Sequence, residues 1–187
     1  MIRGLAILLV LAALPLAATA VRAGEPALAV APNGLHRQPW FNDSSGNLGA
    51  DLAAAGRAGR MLALVWEQEG CVYCREMHRV NLRVPEIVEY IRQHFYLVQL
   101  DMHGSRPLVD FDGKALIEAA LARRHRVFGT PSIEFRRADE REVYRLPGYA
   151  QPAIFKLVFT YVVEKGFEIS GLRDWLMARL KAREGKG

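Results

Sequence analysis

The chain has 187 residues, of which 51% are apolar and 24% charged, and only two are cysteines. That is enough for one domain of ordinary size whose core needs no disulfide staples, so the cysteines are free for chemistry. A net charge of +5, from 25 basic and 20 acidic residues, is too small an excess to point to nucleic acid. Arg123, Arg124, Arg126 and the pair Arg136-Arg137 read as solvated faces, with no aromatic stacking pattern beside them.

Residues 1–23 have the build of a secretory signal. Arg3 is followed by an apolar run over 5–16 and then by small residues at Ala18-Thr19-Ala20 and at Ala23, which predicts cleavage after Ala20 or Ala23. The alternative is an uncleaved anchor, but the run is shorter than the roughly 20 residues that span a bilayer, and Pro15 interrupts it. No twin arginine precedes it, which favours export of the unfolded chain. Loss of Arg3 and Arg22 would lower the charge to +3.

Residues 24–46 form a lead-in rich in Pro, Ala, Asn and Ser, with a short strand over 28–30 and little order expected near a terminus. The domain proper spans 47–187. Leu48, Leu52, Ala55 and Ala58 recur at helical spacing over 47–58, with Gly59 as the stop. The continuous apolar run over 60–66 predicts a central strand buried on both faces.

The next segment carries the chemistry. Glu67-Gln68-Glu69-Gly70 leads into Cys71-Val72-Tyr73-Cys74, followed by a helix that runs toward Pro85. Two thiols at that spacing can close into a disulfide and reopen, one attacking a partner's disulfide and the other releasing the partner. At a helix's first turn, free N–H groups and the positive end of the dipole favour a thiolate. Cys71 is therefore the expected nucleophile, with the more shielded Cys74 resolving.

Beyond Pro85 the pattern predicts a helix over 86–94, a strand over 95–100, an irregular insertion over 102–113 suited to recognition, and a helix over 114–124. Asp110-Phe111-Asp112-Gly113 lacks the later ligands of a calcium loop and reads as a turn. Pro131 opens a strand that runs to Phe135, where a proline is tolerated; the bare prior for Thr130-Pro131 is trans, since only about 5% of X–Pro bonds in folded proteins are cis. A strand over 142–146, a turn at Pro147-Gly148-Tyr149 and helices over 151–164 and 170–182 complete the chain. The last is read as capped by Ser170, with Leu172, Trp175, Leu176, Met177 and Leu180 on its apolar side. The alternation of strands and helices predicts an α/β domain with a mixed sheet covered by helices.

His78 follows Cys74 by four residues, so a metal site has to be weighed. No second ligand pair accompanies it, and His78 is read as a surface or packing residue. Covalent haem is disfavoured because Arg75 follows Cys74.

Taken together, the strand, the Cys-x-x-Cys helix, the distant Gly129-Thr130-Pro131 and the hairpin ending at Gly148 resemble a thioredoxin fold. Gly70 to Asn81, with Val98-Gln99-Leu100-Asp101 and Gly104-Ser105-Arg106, is similar to the SoxW-type periplasmic thioredoxins associated with bacterial sulfur oxidation. The resemblance implies a dithiol–disulfide oxidoreductase with Cys71 attacking, Cys74 resolving and Pro131 cis beside them. It also implies no cofactor beyond the redox-active disulfide, a periplasmic location, and protein disulfides or sulfur-carrier and sulfur-oxidising proteins as partners. A membrane thiol-transfer protein would supply electrons, and the protein itself is expected to be a monomer.

Two positions depart from the family. Val72 stands where proline is common after the first cysteine, and Val65 stands where thioredoxins carry the buried aspartate that assists proton transfer. Glu67 is the preferred substitute relay, ahead of Glu69, which reads as a solvated loop end; a buried carboxylate beside a dithiol can accept a proton near neutrality. Tyr73 is read as a partly exposed recognition residue. The competing functions are an oxidase or isomerase, and a secreted binding module with a structural disulfide. The latter is weakened because so short a loop contributes little as a staple.

Overall fold

The computed structural model describes residues 28–184, so the leader assigned to 1–23 and the first lead-in residues lie outside it. The rest of the lead-in is built into the domain, contrary to the disorder expected of it. It forms an antiparallel ribbon of β1 (Ala29–Val30) and β2 (His36–Arg37), turning where Gly34 adopts φ +77°. Beyond the ribbon, Phe41 is buried in the core and the Asn42 N–H donates to Leu97 O at 2.8 Å.

Helix α1 (Leu48–Arg57) is capped by Asn47, whose side chain accepts from Ala50 N, and the chain leaves it through Gly59 at φ +65°. Then come β3 (Met61–Glu67), α2 (Val72–Arg79), a 3-10 turn at Asn81–Arg83, α3 (Pro85–His94) and β4 (Phe95–Asp101). Pro85 occupies the start of α3, where its missing N–H costs nothing.

The predicted insertion is a hairpin. β5 (Pro107–Val109) pairs with β6 (Ala115–Ile117) across a turn in which Asp110 N donates to Lys114 O and Gly113 has φ +83°. The helix expected over 114–124 therefore begins only at α4 (Glu118–Arg124). Cross-strand pairing overrides the helix-forming character of Ala115-Leu116-Ile117.

The hairpin base is fixed by the buried Glu118, which accepts from Arg106 at 2.7 Å and from Asp101 N at 3.2 Å. Gly104 lies against that carboxylate: a Cβ there would sit 2.1 Å from Glu118 Oε2 and 2.9 Å from Asp101 Cβ. Gly104→Ala is expected to cost about 1–3 kcal/mol through overpacking, read as a lower urea midpoint.

β7 (Ser132–Arg136), β8 (Glu142–Pro147), α5 (Pro152–Val163) and α6 (Leu172–Glu184) complete the fold. α6 begins two residues later than predicted: its first helical bond runs from Trp175 N to Gly171 O at 3.0 Å, so Gly171 and not Ser170 precedes the helix, and the Ser170 carbonyl accepts from Tyr161 OH at 2.7 Å. Trp175, Leu172 and Leu176 pack it against the core, while Met177 and Leu180 are exposed.

The sheet has the order β4-β3-β7-β8, with β3 parallel to β4 and antiparallel to β7. Side-chain alternation along β3 supplies two cores. Ala63 and Val65 pack with α3 and α5; Leu62, Leu64 and Trp66 pack with α1 and α4. By the same alternation Glu67 belongs to the first face, as Val65 does.

Candidate active site

β3, an interior strand, delivers the cysteines beyond its C-terminal end. Its last residue is Glu67, a turn containing Gly70 at φ +70° follows, and Cys71 is the N-cap of α2. Cys71 and Cys74 are joined in a disulfide, with Cα atoms 5.2 Å apart. Cys71 Sγ accepts from Cys74 N at 3.0 Å and from Thr130 Oγ1 at 3.3 Å. Cys71 is half-buried and Cys74 is covered.

The Thr130-Pro131 bond is cis, against the bare prior, and Pro131 O accepts from Gly148 N at 2.7 Å, which ties the loop to the end of β8. Val72 and Tyr73 are each 62% exposed, Tyr73 stacks on Tyr149 with ring centroids 6.3 Å apart, and Phe128 is 87% exposed. Both segments that carry the site thus expose large apolar side chains. Phe128 belongs to no sequence motif. Only its place two residues before Thr130 could have drawn attention to it.

Behind the disulfide is a buried polar group that sequence reasoning reached only in part. Glu67 and His78 are both fully buried, and His78 Nε2 lies 2.9 Å from Glu67 Oε1. His78 is thus not a surface residue: it packs against Phe41, with ring centroids 5.6 Å apart, and is hydrogen-bonded as well. Gln38 Nε2 approaches His78 Nδ1 at 3.2 Å, and Gln99 Nε2 approaches Glu67 Oε1 at 3.0 Å. Burial, together with neighbouring His78, holds the His36 imidazole below its ordinary value, though Glu67 acts the other way. Glu69 is exposed on the loop, its side chain lying over Gly34.

A second ionic group lies on the opposite face of the sheet. Glu134 is buried beside Trp66 Nε1 (2.8 Å), His125 Nδ1 (3.0 Å), Arg145 (3.1 Å) and Arg136. Among the described residues no cluster of three or more His, Cys, Asp or Glu could hold a metal ion, and no helix is long and apolar enough to cross a membrane.

A thioredoxin-like sheet that presents a Cys-x-x-Cys disulfide at a helix start defines the class: a thiol–disulfide oxidoreductase. A model of the thioredoxin-like domain matches residues 48–163, and the chain belongs to that family. Among solved structures it is similar to a thioredoxin from Thermus thermophilus, at 27% identity and a TM-score of 0.53, covering 67% of this chain and 89% of that one. It also matches a thioredoxin-fold protein from Helicobacter pylori, at 23% identity and a TM-score of 0.56, covering 66% of this chain and 81% of that one. No curated protein matches the chain.

Proposed function

We propose that the protein is a periplasmic reductase of protein disulfides, or of sulfur-carrier proteins in sulfur oxidation, that uses Cys71 and Cys74 as its dithiol. The observation that carries the chemistry is the placing of Cys71 Sγ at the start of α2, beside cis-Pro131, with two hydrogen-bond donors aimed at it. The leader-like residues 1–23 support the location, and the resemblance of residues 70–81 to SoxW-type proteins supports the pathway. No cofactor is required, and the electron donor is a membrane thiol-transfer protein.

In the reduced form the Cys71 thiolate attacks one sulfur of a partner disulfide, and the other partner sulfur leaves as a thiolate that is protonated by water. The Cys74 S–H proton then passes to Glu67, and the Cys74 thiolate attacks Cys71 Sγ. The bond from Cys71 to the partner breaks, and the second partner thiolate leaves and takes up a proton. Two electrons have moved to the partner, and the Cys71–Cys74 disulfide has formed. Val72, Tyr73 and the Thr130-Pro131 loop flank the sulfurs and contact the partner chain.

The test is a dithiothreitol or glutathione redox titration of the mature protein with the thiol state trapped at each step. A reversible two-electron transition near about −270 mV supports a reductase, one near about −120 mV turns the reading to an oxidase or isomerase, and a pair that resists reduction overturns exchange altogether. A finer expectation concerns Thr130. Its hydroxyl donates to the nucleophilic sulfur, and a hydrogen bond to a charged group contributes about 1.5 kcal/mol or more. Thr130→Val is expected to slow iodoacetamide alkylation of reduced Cys71 at neutral pH about tenfold.

A further inference from the structure

The residues ahead of the family-matched domain reach into the redox site. Gln38 follows the β1–β2 ribbon and is separated from its partner His78 by 40 positions. The polarity of the network it joins can be worked out from two backbone carbonyls.

Gln38 Nε2 lies 3.4 Å from the carbonyl oxygen of His78 as well as 3.2 Å from its Nδ1. A carbonyl only accepts, so the amide nitrogen is the atom that faces the ring, and His78 Nδ1 must be an unprotonated acceptor. The ring proton therefore sits on Nε2 and is donated to Glu67 Oε1. Gln99 Nε2 is fixed in the same way by the carbonyl of His36 at 2.6 Å, and so it too donates to Glu67 Oε1.

Glu67 Oε1 thus receives two donors, while its Oε2 is buried with no hydrogen-bond partner among the described residues. A buried carboxylate oxygen without a partner is costly unless it has a task. Nδ1 of His78 has no place for a second proton, because an amide N–H already points at it. That leaves Oε2 as the one open proton position of the Glu67–His78 pair. Cys74 and His78 are one helical turn apart on α2, both buried on the face turned toward the end of β3.

We infer that Gln38 is a positioning residue for proton transfer during disulfide exchange: it locks His78 in the Nε2–H tautomer, which holds Glu67 with Oε2 open to the Cys74 proton. The inference rests on the proposed relay role of Glu67. The lead-in ribbon is then part of the redox site. The other titratable groups near the pair are His36 on β2, which feels both members and also Arg75 on α2, and Asp101 on β4, in register with Glu67.

The test compares wild type, Gln38→Met and Glu67→Gln. Met preserves length and apolar bulk while deleting the donor. Release of a glutathione mixed disulfide on Cys71 by Cys74 is followed across about pH 5 to 9, with Cys71 alkylation as the control. Glu67→Gln is expected to slow release about 100-fold, the lower end of general acid–base contributions, and to change the shape of its pH profile. Gln38→Met should slow release about tenfold and change that profile too, with Cys71 alkylation unchanged.

A normal profile in Glu67→Gln sinks the relay itself. A slowed, altered profile there beside a normal one in Gln38→Met sinks only the role of Gln38. Should either variant fail to fold, the imidazole ¹⁵N shifts of His78 in the wild-type protein decide the matter. The Nε2–H pattern is expected, and an Nδ1–H or doubly protonated ring overturns the inference.

Discussion

Cys71→Ser is expected to remove disulfide exchange, lowering turnover on a protein disulfide on the order of 10⁴-fold or more, as loss of a covalent nucleophile does elsewhere. The hydroxyl cannot supply the anion that the α2 N-terminus and Thr130 are arranged to receive. Cys74→Ser should behave differently. Cys71 can still attack, but nothing buried behind it can resolve the product, so the protein stalls as a mixed disulfide visible as added partner mass and discharged by dithiothreitol. The fold should survive both changes. The pair closes a loop with a sequence separation of only 3, and chain entropy sets its contribution at about 2 kcal/mol. An unchanged turnover in Cys71→Ser, or a stalled adduct on Cys74 in that variant, would reverse the assignment of the two sulfurs.

The parts of this site that were legible in the sequence are those set by neighbours along the chain. β3 is buried on both faces, and that leaves a continuous apolar run; Cys71 caps a helix, and that leaves a turn followed by periodic residues. Glu67 was reachable because it sits two residues beyond Val65 and so shares its face of the strand. His78 carried a usable signal, four residues after Cys74 and hence on the same side of α2, but an isolated histidine says nothing of whether a carboxylate waits opposite. Gln38 carried none, since its partner is 40 residues away in a segment that reads as a terminal lead-in. The start of α4 was misplaced for the same reason. Ala115-Leu116-Ile117 prefers helix locally, and only the pairing with Pro107–Val109 makes it a strand.

Glu134 shows how a strand that reads as ordinary can hold a costly group, and its removal should have the largest effect on stability. Its carboxylate is fully covered and answers Trp66, His125, Arg136 and Arg145 at once. Glu134→Gln leaves those cations facing a neutral amide, and breaking a buried ion pair from one side costs about 3–5 kcal/mol. For a domain of this size that lowers Tm by about 10 °C. The pH dependence follows from both partners. Burial alone would raise the Glu134 carboxyl, but His125, Arg136 and Arg145 outweigh it and hold it below 4.5. Its contribution is present above the ordinary carboxylate value and lost as pH falls through the lowered one. Burial alone would lower His125, but Glu134 and Asp110 outweigh it and lift it above 6.5. Its contribution is present below the ordinary imidazole value and lost as pH rises through the raised one. This pair therefore stabilises the fold most between pH 4.5 and 6.5. The urea midpoint of the wild type should decline from that window toward alkaline pH, and the decline should flatten in Glu134→Gln. Parallel profiles for the two proteins would mean that the cluster is held together by packing and hydrogen bonds without linked protonation.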